Sequence, residues 1–253
     1  MIALIARNTF REAVRDRVLA GIVVAGLALL ALTRLASPLA MGEGLRLTVD
    51  LGLSGITWLG LVVVLMVGSS LVSKEIDRRT IFNLLSRPLP RPYYLVGKWA
   101  GLTAALASVA VILGLALAGM LVLLGHAEAL PAIAQAVVLA VLELAVVCSI
   151  AVMFSALSTP VLSALYTLGL FLAGQWTDDL RRFAEHAPGS LGTILTTAAN
   201  LLPNLSLFNM RSLASLGTCT TIEHLAVATG YAALYCGCVL LLGAAAFESR
   251  DFK

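Results

Sequence analysis

Charge is what this sequence has least of. Lys, Arg, Asp and Glu make up 12% of its 253 residues, about half the share of an ordinary soluble domain. With 60% apolar residues and a mean hydropathy of +0.97, a water-soluble globule is excluded. Cysteine is also sparse: Cys148, Cys219, Cys236 and Cys238 form no C-x-x-C pair and no disulfide framework. Three of them lie in apolar runs, where a thiol behaves as a small hydrophobe, and packing is the expectation for Cys236-Gly-Cys238 too.

Catalytic and nucleotide-binding patterns are missing as well. Gly97-Lys98 has Pro92 where a phosphate-binding loop needs glycine, and Trp99 follows instead of Ser or Thr. No Ser-His-Asp set or paired carboxylates occur. His126-x-Glu128 and Glu223-His224 lack the helical spacing of metal ligands and read, like His186, as solvated loop residues. Nothing outside the apolar runs is large enough to form a basic groove for nucleic acid. Asn204-Leu-Ser206 fits a glycosylation acceptor, a pattern common by chance.

Long apolar runs are what the chain does have. Six of them, near 18–36, 51–72, 99–124, 131–157, 160–176 and 224–247, approach or exceed the roughly 20 residues that cross a bilayer core. Segments in lipid must satisfy their own backbone hydrogen bonds, so runs of Ala, Leu and Val this long are helices. The alternation of a barrel is absent. The prediction is an all-α integral membrane protein, one domain over 1–253. Arginines, an apolar run and "LASPLA" imitate a signal peptide at the N-terminus. The basic region is long and the run is of spanning length, so an uncleaved first helix is expected.

Lys and Arg set the orientation. With the N-terminus in the cytoplasm, 12 lie inside and 5 outside, which favours both termini on the cytoplasmic side of the inner (plasma) membrane. Residues 1–17, "MIALIARNTFREAVRDR", place Ile2, Ile5, Phe10 and Val14 broadly on one side and Arg7, Arg11 and Arg15 on another. A helix of that kind lies along an anionic lipid surface. Residues 177–223 include "LGTILTTAANLLPNLSLF", which carries Asn200, Pro203 and Asn204. One or two short helices lying in or dipping into the outer interface are expected there, with Trp176, Phe183, Leu201 and Phe208 near the surface for a periplasmic partner.

Eight of the 31 charged residues crowd into Ser73–Trp99, "SKEIDRRTIFNLLSRPLPRPYYLVGKW", and six of the eight are basic. Ile81, Leu84 and Leu85 are spaced to share a helix face. Pro88, Pro90 and Pro92 then stop the helix and stiffen the exit. Tyr93, Tyr94 and Trp99 suit the membrane interface. A cytoplasmic segment over 73–98, with a short helix held rigidly between the second and third spans, exceeds what fixing topology requires.

This segment resembles the permease subunits of type-2 ABC exporters. Their pattern of Glu, Thr-Leu, Leu-Leu-Ser-Arg-Pro and Gly-Lys is matched by Glu75, Thr80-Ile81, Leu84-Leu85-Ser86-Arg87-Pro88 and Gly97-Lys98. Arg79 stands where the family often has glycine. "FESRDF" is similar to the family's C-terminal Arg-Asp ending, and "LLPNLSLFN" resembles the subgroup of the nitrous-oxide-reductase maturation permease. The resemblance implies a coupling helix gripped by a separate cytoplasmic ATPase that carries the ATP and Mg, with no cofactor in this chain. Two permease copies, or this chain with a related one, would form the path. Docking contacts assigned by position are Glu75, Arg78, Arg79, Phe82, Leu85 and Arg87.

Within the spans Glu143 stands out. A carboxylate at mid-depth costs several kcal/mol unless paired, hydrated or protonated, so it is expected to face the bundle interior or a cavity. It would serve as a translocation-path residue, a lock between protomers, or a protonated acid bonded to a neighbouring helix. Gly101, Ala105, Gly114, Ala118 and Gly119 in the third span would permit close helix approach. The alternatives to an exporter are a membrane scaffold that moves nothing and an intramembrane enzyme using Glu143, for which no second catalytic group is evident.

Overall fold

The computed structural model describes residues 2–36, 43–72, 91–186 and 190–248. No strand occurs among the described residues, and the helices are α1 (Ile2–Arg15), α2 (Arg17–Ala36), α3 (Gly44–Met66), α4 (Arg91–Leu123), α5 (Leu130–Leu157), α6 (Pro160–Gln175), α7 (Thr177–His186), α8 (Ser190–Leu201), α9 (Arg211–Ser215) and α10 (Ile222–Glu248). Short 3-10 turns cover Gly68–Ser70, Ala127–Ala129 and Ser206–Phe208.

Five helices among the described residues are long and apolar enough to cross a membrane: Arg17–Leu35, Gly44–Ser70, Pro92–Leu123, Ala127–Leu157 and Ile222–Ala246. The sixth expected span, Pro160–Trp176, is α6, whose 16 residues rise only ~24 Å, short of a ~30 Å hydrocarbon core. Two long spans begin earlier than hydropathy suggests. α3 starts at Gly44, since Arg46 and Asp50 extend the helix beyond the apolar run. α4 starts at Arg91, with Pro92 in the first turn, where its missing N–H costs nothing.

α5 is the axis. It touches α3, α4, α6, α9 and α10, and 67% of its apolar window is buried inside the protein against 28% for α2 and α10. The latter two therefore form the flanks, with Leu32, Leu35, Leu234 and Leu241 exposed. The helices alternate in direction. Gly60 of α3 faces Leu144 of α5, Gly26 of α2 faces Leu113 of α4, and Gly243 of α10 faces Met153 of α5. At the α1 end of the bundle, Val72 N–H donates to Ser155 Oγ at 3.0 Å, tying the base of α3 to α5. Ser163 Oγ donates to Ala151 O at 3.3 Å, folding α6 back along α5. Trp99 Nε1 donates to Ala145 O at 2.9 Å, joining α4 to α5.

α1 packs on the first turns of α4, and glycine makes this approach possible. A Cβ at Gly97 would lie 2.8 Å from Ile5 Cβ, and one at Gly101 would lie 2.5 Å from Ala6 O and 2.7 Å from Thr9 Cβ. With Ala105 fully buried, Gly97, Gly101 and Ala105 form a small-residue ridge at i, i+4, i+8. The buried face of α1 is Thr9 and Ala13 flanked by Ile5 and Phe10. Val14, expected on the apolar side, is exposed, as is Leu4. Gly114 meets Val137 of α5 closely, whereas Gly119 faces open space.

Candidate functional site

Glu143 lies halfway along α5, roughly 20 Å from Leu130 at 1.5 Å per residue, and is 1% exposed. Gln175, the last residue of α6, donates from Nε2 to Glu143 Oε1 at 2.5 Å. α6 therefore ends at the depth of Glu143, level with the middle of α5. A second polar group in this part of the bundle is Arg211, the first residue of α9. Arg211 Nη1 in turn donates to Ser54 Oγ of α3 at 3.3 Å. Polar contacts thus join α5 to α6 at Glu143 and α3 to α9 at Ser54. One helical turn from Ser54, Trp58 makes an edge contact with Phe171 of α6, centroids 5.7 Å apart.

Beyond the end of α6, the far half of α5 is covered by chain from the 201–220 region. The Ser206–Phe208 turn and α9 both touch α5, and Thr220 N–H donates to Gln135 Oε1 at 2.8 Å. The segment is keyed in place residue by residue. Leu205 N–H donates to Gly174 O at 3.2 Å, and a Cβ at Gly174 would sit 2.7 Å from Pro203 O. Thr177 Oγ1 donates to Gly174 O at 3.0 Å and to Pro203 O at 3.3 Å. Asn204 N–H donates to Tyr231 Oη of α10 at 2.8 Å, and the His224 Nε2 lies 3.0 Å from Leu207 O. Tyr231 also packs against Phe208 and stacks on Tyr235.

Among its described residues, the region expected to hold one or two short helices thus holds three, α7, α8 and α9, and a 3-10 turn. Of the four side chains expected near its surface, Trp176, Phe183 and Leu201 are exposed, but Phe208 is 3% exposed and belongs to the core. It is drawn inward because Leu205 and Phe208 fill the space that α6 leaves free. His224 is engaged with the Leu207 carbonyl rather than solvated. Asn204 accepts the Ser206 hydroxyl at 2.6 Å on its Oδ1, within this packed turn. Among the described residues no group of three His, Cys, Asp or Glu is placed to hold a metal ion.

The six docking residues, Glu75, Arg78, Arg79, Phe82, Leu85 and Arg87, lie outside the described residues, as does the Pro88–Pro90 strut. The two ends of that segment are held by the bundle. It begins after Val72, which lies just beyond α3 and is pinned to Ser155, and it enters α4 at Arg91, about two to three turns before the glycines that seat α1. Lys98 is 3% exposed and its Nζ lies 5.8 Å from the centre of the Tyr94 ring, so this lysine belongs to the helix packing.

Sequence reasoning missed Gln175, Ser54 and Arg211. Arg211 read as one more charge of an outer loop. The available signal was a Gln closing an otherwise apolar helix of fewer than 18 residues, since a short span must leave its end inside the bundle.

Among curated proteins none matches the chain. The family described as ABC-2 family transporter protein matches over residues 3–251, a span that includes α1, all five long helices and the Glu143 cluster. Permeases of this family generally work with a cytoplasmic ABC ATPase and are not themselves catalytic. The chain belongs to the ABC-2 transporter family, as a transmembrane subunit of an ABC transporter.

Proposed function

We propose that this permease is the path-forming subunit of an exporter, with both termini and residues 73–90 in the cytoplasm of a cell whose plasma membrane it spans. A separate ATPase grips the 73–90 segment through Glu75, Arg78, Arg79, Phe82, Leu85 and Arg87. Two permease copies, or this chain with a related one, pair through their long helices, and the path opens between them. Residues 177–223 dip back into the outer half of the membrane as re-entrant helices, and the exposed Trp176 and Phe183 offer a surface to a periplasmic partner. ATP and Mg belong to the ATPase.

The observation that carries this reading is the seat of α1 on Gly97 and Gly101. It makes the base of α4 and α1 one body directly after the segment, while Ser155 ties the base of α3 to α5. A push on residues 73–90 therefore reaches α3, α4 and, through α5, the buried Glu143. Rigid coupling of this kind transmits displacement because packed interfaces deform little and move as units. Charge reversal of Arg78 and Arg79 together tests it. The double variant is expected to reach the membrane in normal amounts yet lose both the co-purifying ATPase and transport. Normal co-purification with full transport would remove the segment from the coupling path.

A further inference from the structure

α6 ends inside the bundle, and a heavily charged helix follows it at once. Gln175 reaches Glu143, and roughly 20 Å of α5 extend beyond Glu143 to Leu130. α7 begins two residues after Gln175, at Thr177. Asp178 and Asp179 stand in its first turn, so even a helix running straight along α5 leaves them more than about 10 Å short of the end of α5. Arg181, Arg182 and Glu185 follow on the same helix. All five side chains are exposed. None meets an opposite charge within 4.0 Å, since Arg46–Glu43 is the one such pair among the described residues.

The five charges share a side. At about 100° per residue, Arg181, Glu185, Asp178, Arg182 and Asp179 cover an arc of roughly 160° on α7, and Leu180, Phe183 and Ala184 lie outside it. α8, packed against α7, is divided likewise. Its Thr193, Thr196, Thr197 and Asn200 are exposed and recur at i, i+3, i+4 and i+7, while Ala199 is fully buried. Charges at membrane depth face protein or water, because hydrocarbon does not solvate them. We infer that the charged side of α7 and the polar stripe of α8 wall a water-filled recess, open on the side of the bundle opposite α1 and reaching inward to the depth of Gln175. This rests on the re-entrant placement proposed for α7 and α8, and adds which side of them is wet. A second copy pressed dry against this wall would desolvate all five charges, a cost that ion pairs rarely repay. Carrying both signs, the wall admits water and hydrophilic solutes and offers acyl chains no seat.

Carboxyl labelling of the wild-type permease in lipid nanodiscs, without any ATPase, tests the recess with no substitution. A water-soluble carbodiimide with an amine is expected to modify Asp178 and Asp179 as readily as Glu128, which is exposed between α4 and α5. Glu143, 1% exposed, should not react. Labelling of the two aspartates by a lipid-soluble carbodiimide alone would put this side of α7 in lipid. Labelling by neither reagent would put it in a dry protein contact, and either result overturns the inference. Depth is read from a nitroxide on Trp176→Cys, with Cys219→Ser and Cys238→Ser, by its EPR-measured distance from paramagnetic lipid headgroups. The expected distance exceeds about 10 Å, deeper than a helix lying in the interface reaches. A shallower label would sink the re-entrant placement and the recess together, whereas a deep label with unreactive aspartates would sink the recess alone. The coupling of residues 73–90 to an ATPase is read in a separate assay and fails separately.

Discussion

Gly101 and Gly119 lie on the same helix and allow one substitution to be compared with itself. Gly→Ala improves intrinsic helix stability by up to about 1 kcal/mol at either position, so the difference between them isolates packing. At Gly119 the added methyl meets nothing within 4 Å, whereas at Gly101 it meets Ala6 O at 2.5 Å, Thr9 Cβ at 2.7 Å and Ala6 Cα at 3.1 Å. Two of these three atoms are backbone, so no rotamer change relieves the contact and α1 has to back away. Overpacking of this kind costs about 1–3 kcal/mol, which is a ~5- to 150-fold increase in the undocked population of α1. Amide exchange over Ile2–Arg15 reads that population directly. Gly101→Ala is expected to speed it within this range and to weaken ATP-driven transport, while Gly119→Ala changes neither adversely. Equal behaviour of the two variants would refute a close α1–α4 seam and, with it, the route by which a push on residues 73–90 enters the bundle.

Gly174→Ala places a methyl 2.7 Å from Pro203 O and is expected to destabilise the 201–208 turn by about 1–3 kcal/mol, seen as faster exchange at the Leu205 amide with α1 unaffected. Tyr231→Phe removes the acceptor of the Asn204 N–H and should cost about 1–3 kcal/mol, read as a lowered thermal midpoint in detergent. Trp99→Phe keeps most of the ring but loses the bond to Ala145 O, for an expected loss of about 0.5–1.5 kcal/mol in the same assay.

Much of this architecture is legible in the sequence because lipid leaves few choices. An apolar run of spanning length must be a helix, and the five long helices follow from that. Hydropathy places their ends less well: Arg46 and Asp50 continue α3 past the apolar run, and the Pro92 that reads as a breaker sits in the first turn of α4. Amphipathic spacing finds α1 and the inward packing of Ile5 and Phe10, but it misplaces the exposed Val14 and does not foresee Thr9 and Ala13 at the centre of the inner face. Its partner is a ridge of glycines, which admit Thr9 and Ala13 rather than large residues such as Leu4 and Val14. Glu143 stands out in the sequence because a mid-span carboxylate is rare, yet its partners do not. Gln175 is brought to it by the length of α6, and Arg211 is brought to Ser54 by the inward return of residues 201–211, both consequences of tertiary packing that no local pattern encodes. Phe208 is misread for the same reason, since its burial depends on a gap that only a short α6 creates.

The central claim is that residues 73–90 are where a motor subunit drives this permease. A photoactivatable cross-linking residue at Phe82, irradiated in native membranes with the ATPase co-expressed, tests that claim most directly. The account predicts a covalent adduct between the permease and the ATPase that forms in cytoplasm-facing membranes and whose yield changes when ATP is trapped. Adducts to lipid alone, or labelling only from the opposite membrane face, would contradict it.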